Sequence, residues 1–344
     1  MMNIVPNVSL ANYSTMRLGG IADFLVEIHD QDELKEAYDW ATAKQLPVIM
    51  IGGGSNIFWQ DAGFHGLVMV NKIMGYEDHA EGTENHYLTI GAGENWDSVV
   101  ARTVQAGLTG IEALSLIPGT AGATPIQNVG AYGQDISQTL VSVEVFDTTT
   151  GQLATLPNEA CGFGYRTSKF KNEFRGRYFI TSITLHLRVG NPLPPYYGAV
   201  QSYLEANPTD QAITPAVIRD AVIAIRSAKL PDVERVANNG SFFANPIVSK
   251  DTLVALRASN PTLPCWPLEG GGAKIPAAWL IEQTGFKDYH DEATGMATWP
   301  RQPLVLVNES AKTTSDLLAF RDKITAAVQA KFGIPLTQEP ELLP

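Results

Sequence analysis

The sequence predicts an α+β fold built as three compact lobes, and three observations lead there. Strand-like and helix-like patterns interleave along all 344 residues, which at roughly 150 residues per domain leaves room for two or three cores. Strands run into glycine-rich turns, yet no G-x-G-x-x-G or G-x-x-x-x-G-K-[ST] motif occurs, which argues against the usual parallel dinucleotide-binding unit. Pro231 bars helix within Lys229–Asn239, marking a boundary between lobes.

The elements follow in order. Phe24–Ile28 alternates as a strand, and Asp32–Lys44 is a helix with Leu34, Ala37, Tyr38 and Ala41 on one face. Pro47 ends it. The buried strand Val48–Ile51 runs straight into Gly52, and Leu67–Val70 completes a β-α-β opening. Tyr87–Ile90 is a strand. Asn95–Gln105 is a helix stopped by Gly107, with Trp96, Val99, Val100, Thr103 and Val104 facing inward. Leu116–Gly133 is too irregular for a regular element, and Val141–Phe146 and Phe179–Leu187 are β-branched strands. Thr214-Pro215 opens a helix as cap and first-turn proline, with Val217, Ile218, Ala221, Val222 and Ile225 inward. The last lobe holds a helix at Ala277–Gln283 stopped by Gly285, a strand at Leu304–Val307, and a helix from Ser315 to Phe332. Leu317, Phe320, Ile324, Ala327 and Val328 line that helix and Gly333 ends it. Pro335–Pro344 is left as a short tail.

Composition narrows the function. Hydrophobic residues make up 44% of the chain and charged residues 17%, too apolar a balance for disorder. Lys and Arg number 24 against 36 Asp and Glu, a net charge of −12. Such a surface repels nucleic-acid phosphates and anionic membranes. Cys161 and Cys265 form no C-x-x-C pair, so neither a disulfide framework nor a thiolate metal cage is expected. The histidines (His29, His65, His79, His86, His186, His290) lack ligand spacing, and no metal is expected. The opening MMNIVPNVSL has no basic n-region or apolar h-region, and no apolar run nears the ~18 residues of a membrane span. The expectation is a soluble cytoplasmic protein.

Five segments carry possible chemistry. In I-G-G-G-S-N (51–56), three glycines after a strand can converge backbone N–H groups on a pyrophosphate, with Ser55 and Asn56 adding side-chain bonds; a tight turn would use the same residues. The loop 116–133 is glycine-rich and nearly uncharged, suited to form a backbone wall against a planar or phosphorylated ligand or a structural loop. In C-G-F-G-Y-R-T-S-K-F-K (161–171), Arg166 beside Tyr165 and Ser168 suits carboxylate recognition, or is a surface arginine. Ser241, in A-N-N-G-S-F-F-A-N-P (237–246), lacks the G-x-S-x-G elbow of a hydrolase and reads as a proton donor or a turn serine. Glu339 and Glu341 in Q-E-P-E-L (338–342) point the same way if extended, or belong to a solvated terminus.

Together with S-T-M-R-L-G-G (14–20), G-A-G-E-N-W (91–96), K-L-P-D (229–232) and A-A-W-L-I-E-Q (277–283), these segments resemble, in order and spacing, the UDP-N-acetylenolpyruvoylglucosamine reductase family. Y-Y-G (196–198) resembles the tyrosine loop of its longer subtype. The resemblance implies two lobes, 1–72 and 73–229 plus 335–344, that form a vanillyl-alcohol-oxidase-type FAD-binding unit, and a substrate-binding lobe, 230–334. It implies tightly bound FAD, NADPH as hydride donor, and reduction of an enolpyruvyl nucleotide-sugar to UDP-N-acetylmuramate for peptidoglycan precursors. No nucleic-acid, membrane or oligomeric partner is implied. By the same resemblance the catalytic residues are Arg166, Ser241 and Glu341, converging on the flavin ring. FAD contacts fall to Gly52, Gly53, Gly54, Ser55, Asn56, Pro118, Gly119, Gly122, Ala123, Gln127, Asn128, Gly130, Ala131 and Tyr132, and substrate contacts to Tyr165, Tyr197, Arg226, Lys229 and Asn245. Arg226 with Lys229 is where positive charge is expected to gather. Asn239 and Ala244 depart from the family, which commonly has alanine at the first and in some relatives a basic residue at the second. Two other readings are an oxygen-using oxidase of the same fold, which the Arg166–Ser241–Glu341 set argues against, and a nucleotide-sugar module that has lost its flavin.

Overall fold

A computed structural model describes residues 2–344. The chain divides into two units, the first from Met1–Val8, Ala22–Gly54 and Phe64–Ala228, the second from Ser9–Ile21, Ser55–Gly63 and Lys229–Pro344.

Apolar β-branched runs explain the first sheet of the first unit. Ile21–Ile28 and Val48–Ile51 both pair in parallel with Phe64–Asn71, so Leu25 and Ile49 flank Val68 from either side. Val5–Ser9 completes the order at one edge. The parallel connection needs a crossover, supplied by α1 (Gln31–Ala43). Asp30 caps α1 by accepting the Glu33 N–H, and Leu34, Ala37 and Ala41 are buried as the sequence pattern required.

The second sheet is antiparallel, ordered Gln152–Pro157, Leu140–Asp147, Tyr178–Val189, Asn85–Gly91, Tyr76–Glu81, with Leu108–Thr109 pairing off Tyr178–Val189. Against it lies α2 (Trp96–Gln105), capped by Asn95, with all five expected residues buried. Two further helices, α3 (Gly198–Ala206) and α4 (Pro215–Lys229), pack through Val200, Ile218, Ala221 and Val222, with Tyr132 alongside. Helix α3 was not foreseen: within G-A-V-Q-S-Y-L-E-A only Val200 is buried, too few inward positions for a visible stripe.

One charge pair in this unit has a readable pH signature. Arg177 Nε and Nη2 donate to both carboxylate oxygens of Asp147, at 3.2 and 2.8 Å. Arg177 holds the Asp147 carboxyl down at about 2. The folded value lies below the unfolded one, so the stabilisation is present above pH ~4 and is lost as pH falls toward 2. Asp147→Asn is expected to flatten the fall of Tm between pH 4 and 2, measured by thermal melts across that range; an unchanged slope would mean other carboxylates set it.

In the second unit, Ala237–Ser241, Gln302–Asn308, Met296–Trp299 and His290–Asp291 form an antiparallel sheet in that order. Three helices, α5 (Lys250–Ser259), α6 (Ala277–Gln283) and α7 (Thr314–Phe332), belong to this unit, and Phe58, Phe242, Phe243, Leu280, Leu306 and Phe320 share its buried core. Helix α7 opens with a capping box between Thr313 and Asp316, and Asp61 accepts the N–H groups of Thr314 and Ser315 at 2.6 and 2.9 Å. A carboxylate there meets both the unpaired donors and the positive helix end. Gly333 closes α7 in the left-handed region, as expected.

Of the two readings of the tail, an extended segment and a solvated terminus, the extended one is found. Glu341–Leu343 is a strand pairing in parallel with Ile57–Trp59, and Leu343 is buried. Alternation over three residues is too short to announce a strand; its register comes from backbone partners, Glu341 N–H to Asn56 O and Gln60 N–H to Leu343 O, both at 2.9 Å. Among the described residues, no helix is long and apolar enough to cross a membrane.

Candidate functional site

In the first unit, the strand Val48–Ile51 ends against the glycine-rich loop. A Cβ on Gly52 would stand 2.4 Å from Thr120 Oγ1, and one on Gly53 3.2 Å from the Gly119 Cα. A side chain at Gly52 would run into the Thr120 side chain, and one at Gly53 would crowd the Gly119 backbone, so glycine lets the loop pack closely here. Gly122 is packed equally tightly on Ala92. The loop is nearly devoid of regular structure, as expected, with one 3-10 turn at Ala121–Ala123 and a two-residue strand at Gly130–Ala131. Thr120 Oγ1 and Gln127 Oε1 are buried there without a hydrogen-bond partner among the described residues. Close-packed glycines beside the buried Thr120 and Gln127 polar atoms fit a cradle for a phosphorylated ligand.

Arg166 sits beside this loop for a local reason. Gly164 and Thr167 exchange backbone hydrogen bonds at 3.0 and 3.3 Å, so Tyr165 and Arg166 form the tip of a two-residue turn, and Arg166 takes φ 55°. The Asn128 amide donates to Gly164 O at 3.2 Å and Ser168 Oγ to Ile126 O at 2.7 Å, pinning the turn to the loop. Arg166 Nη1 then donates to Gly130 O at 2.9 Å. A bulky residue in this backbone region is uncommon and clusters at functional sites.

Arg226 of α4 lies in the same electrostatic neighbourhood. Burial pulls its guanidinium below the ordinary value and positive Arg166 adds to that, while Tyr132, which hydrogen-bonds it, and Asp97 oppose. Tyr132 is itself pushed up by burial, and its ring meets Tyr197 edge-on at 5.8 Å. Positive charge gathers at Arg226 with Arg166; Lys229, the partner expected for Arg226, is exposed at the C-terminal end of α4. In a chain of net charge −12, two neighbouring guanidiniums favour an anionic ligand.

The second unit carries the other expected residues. Gly240, at φ 68°, and a register break between Asn238 and Ser241 form a bulge in the strand. Ser241 follows it, half-buried, paired with Val305, and directly ahead of fully buried Phe242 and Phe243. A bulge re-aims a side chain while its neighbours stay anchored. The chain end runs past the same place: Glu339 N–H donates to Phe242 O, Ala244 N–H to Thr337 O, and Phe243 bridges Gln338. Ser241 and Glu341 thus belong to one unit with Asn56, and Arg166 belongs to the other. Asn245 Oδ1 accepts the Ala277 N–H at the start of α6.

Sequence reasoning singled out Asn239 only as a departure. Its Nδ2 faces Thr15 Oγ1, Ser55 O and Ile57 O at 3.1 to 3.3 Å, drawing together the 14–20 and 52–56 segments, an organising role invisible in the sequence. Asp97 and Arg219 carry no signal in the sequence. They join α2 and α4 across 122 positions, Arg219 Nη1 and Nη2 donating to Asp97 at 2.7 and 2.9 Å. An ion pair so distant in sequence leaves no local pattern. Among the described residues, no cluster could hold a metal ion.

The match of residues 22–156 sets the fold and its cradle in an FAD-binding class. Residues 22–156 match the FAD binding domain family, and 232–343 match the C-terminal domain of UDP-N-acetylenolpyruvoylglucosamine reductase. The chain is 39% identical to the UDP-N-acetylenolpyruvoylglucosamine reductase of Amoebophilus asiaticus, covering 99% of both, and 40% identical to that of Cupriavidus pinatubonensis, covering 97% of both. The crystal structure of the Thermus caldophilus reductase superposes with a TM-score of 0.69 at 23% identity over the full length of both chains, which shows a shared fold. This chain belongs to the UDP-N-acetylenolpyruvoylglucosamine reductase family.

Proposed function

We propose that this protein uses NADPH to reduce the enolpyruvyl ether of UDP-N-acetylglucosamine-enolpyruvate to UDP-N-acetylmuramate, in the cytoplasm, for peptidoglycan precursor synthesis. The observation that carries the reading is Arg166: a guanidinium fixed on Gly130 O beside a second guanidinium, in an otherwise acidic protein.

FAD, when bound, supplies the hydride relay from NADPH to the terminal carbon of the enolpyruvyl group. Gly52, Gly53 and Gly54 with the loop from Pro118 to Tyr132 would hold it, and Ser55 and Asn56 are the further contacts that the family resemblance implies. Hydride addition pushes an electron pair toward the substrate carboxylate. Arg166 meets that developing charge, and Glu341 is the second catalytic group that the family resemblance implies. The intermediate then takes a proton from the Ser241 hydroxyl on the carbon beside the ether oxygen, which completes the lactyl ether. Serine is a weak acid, so the alkoxide must be stabilised or reprotonated from solvent. Tyr165, Tyr197, Arg226, Lys229 and Asn245 bind the diphosphate and sugar.

The test is spectroscopic. Purified protein is expected to show flavin bands near the visible blue, to lose them on anaerobic addition of NADPH, and to regain them on addition of the enolpyruvyl nucleotide-sugar. A colourless protein, or a reduced flavin that only oxygen reoxidises, would reject the reading.

A further inference from the structure

Helix α4 meets Ser115, the residue just before the glycine-rich loop, and Tyr132 at the loop's far end. At the start of the loop, the Leu116 N–H donates to Asp97 Oδ1 at 2.5 Å, and Arg219 Nη1 donates to Ser115 Oγ at 2.9 Å while it holds Asp97. At the far end, Arg226 hydrogen-bonds Tyr132. Arg219 and Arg226 are seven residues apart, which on a helix is two turns, a rise of about 10 Å and nearly the same face. Ser115 is fully buried, and both Leu116 (φ 58°) and Tyr132 (φ 49°) sit in the left-handed region, which they keep only while surrounding bonds hold them.

The Asp97–Arg219 pair is built for orientation. It is a two-point fork with both side chains mostly shielded from solvent, Arg219 14% and Asp97 29% exposed. Burial pushes the Asp97 carboxyl up, but the Arg219 bonds, the Leu116 N–H and the charges of Arg219 and Arg226 outweigh this and hold it ionised. Arg226 Nε, meanwhile, is buried without a hydrogen-bond partner among the described residues. The guanidinium is therefore fixed by the helix that carries it and by Tyr132, with a donor in reserve.

We propose that Asp97 and Arg219 are positioning residues: their ion pair fixes α4 against the start of the loop, and through α4 sets the Arg226 guanidinium for the anionic nucleotide-sugar. The inference rests on the reading of Arg226 as a substrate contact. Steady-state kinetics of the FAD-loaded enzyme test it through the sign of one change. Asp97→Asn is expected to raise KM for the nucleotide-sugar about ten-fold, the size of one charge-assisted hydrogen bond, and to leave kcat within about two-fold. If Asp97 acted only through its charge, removing it would make the neighbourhood more positive and lower KM. If it were merely structural, Tm would fall and KM would stay. Arg219→Lys keeps the charge but loses the fork, and is expected to give a smaller rise; it carries the test alone if Asp97→Asn does not fold. The double variant Asp97→Asn with Arg219→Gln is expected to be no worse than Asp97→Asn by itself, because the two act as one unit. An unchanged or lowered KM in a folded, flavin-loaded variant overturns the proposal. Arg226→Gln separates this failure from that of the parent reading. If it leaves KM unchanged, Arg226 is not a substrate contact; if it raises KM while Asp97→Asn does not, the positioning role alone falls.

Discussion

Ser241→Ala is expected to leave NADPH able to bleach the flavin at the normal rate and to slow reoxidation by the enolpyruvyl nucleotide-sugar by about 10²–10⁴-fold, the range for a removed acid catalyst. The two half-reactions separate because hydride arrival at the flavin needs no proton at the substrate, whereas the second needs one on the carbon beside the ether oxygen. The fold should not suffer. Ser241 is half-buried, and its backbone is set by the pairing with Val305 and by the burial of Phe242 and Phe243 on its C-terminal side. Loss of one hydroxyl at such a place is worth within about 0.5 kcal/mol when no buried partner is stranded. Stopped-flow absorbance of the two half-reactions measures both rates, and a thermal melt checks the fold. Reoxidation at the normal rate would take the serine out of the chemistry.

What the sequence made legible follows from where each signal resides. Helices with an inward stripe or a clear stop are legible nearly to the residue: Ala277–Gln283, stopped by Gly285, matches, and α7 begins one residue earlier than expected, at Thr314. Short elements held by backbone pairing are not, as Glu341–Leu343 shows, because three residues contain no period. Helix α5 escapes for the same reason as α3: only Leu256 of K-D-T-L-V-A-L-R-A-S is buried. At the site, the glycines were readable because close approach demands them, and Gly52 against Thr120 bears that out physically. The loop's fastening was not. Asp97, Arg219 and Asn239 are ordinary polar residues whose partners lie far along the chain, and only a folded backbone brings them together.

Arg166 gives a second large effect, and one whose stability signature runs opposite to habit. Both Arg166→Ala and Arg166→Gly are expected to lower turnover by about 10²–10³-fold, the cost of removing one group that meets developing charge. Both also lose the 2.9 Å bond to Gly130 O. They differ in the backbone. At φ 55°, alanine keeps the clash between Cβ and the chain that arginine already bears, while glycine has no Cβ to clash. The glycine variant is therefore expected to be more stable than the alanine variant by about 1 kcal/mol, although glycine elsewhere usually costs stability relative to alanine. Paired thermal melts and assays of the two variants measure this. Equal loss of turnover with glycine the more stable is the signature of a residue kept in an unfavourable backbone state for its side chain. If alanine were as stable as glycine, the turn at Gly164–Thr167 would be relaxing around the change, and the fixed placement of the guanidinium would no longer explain its role.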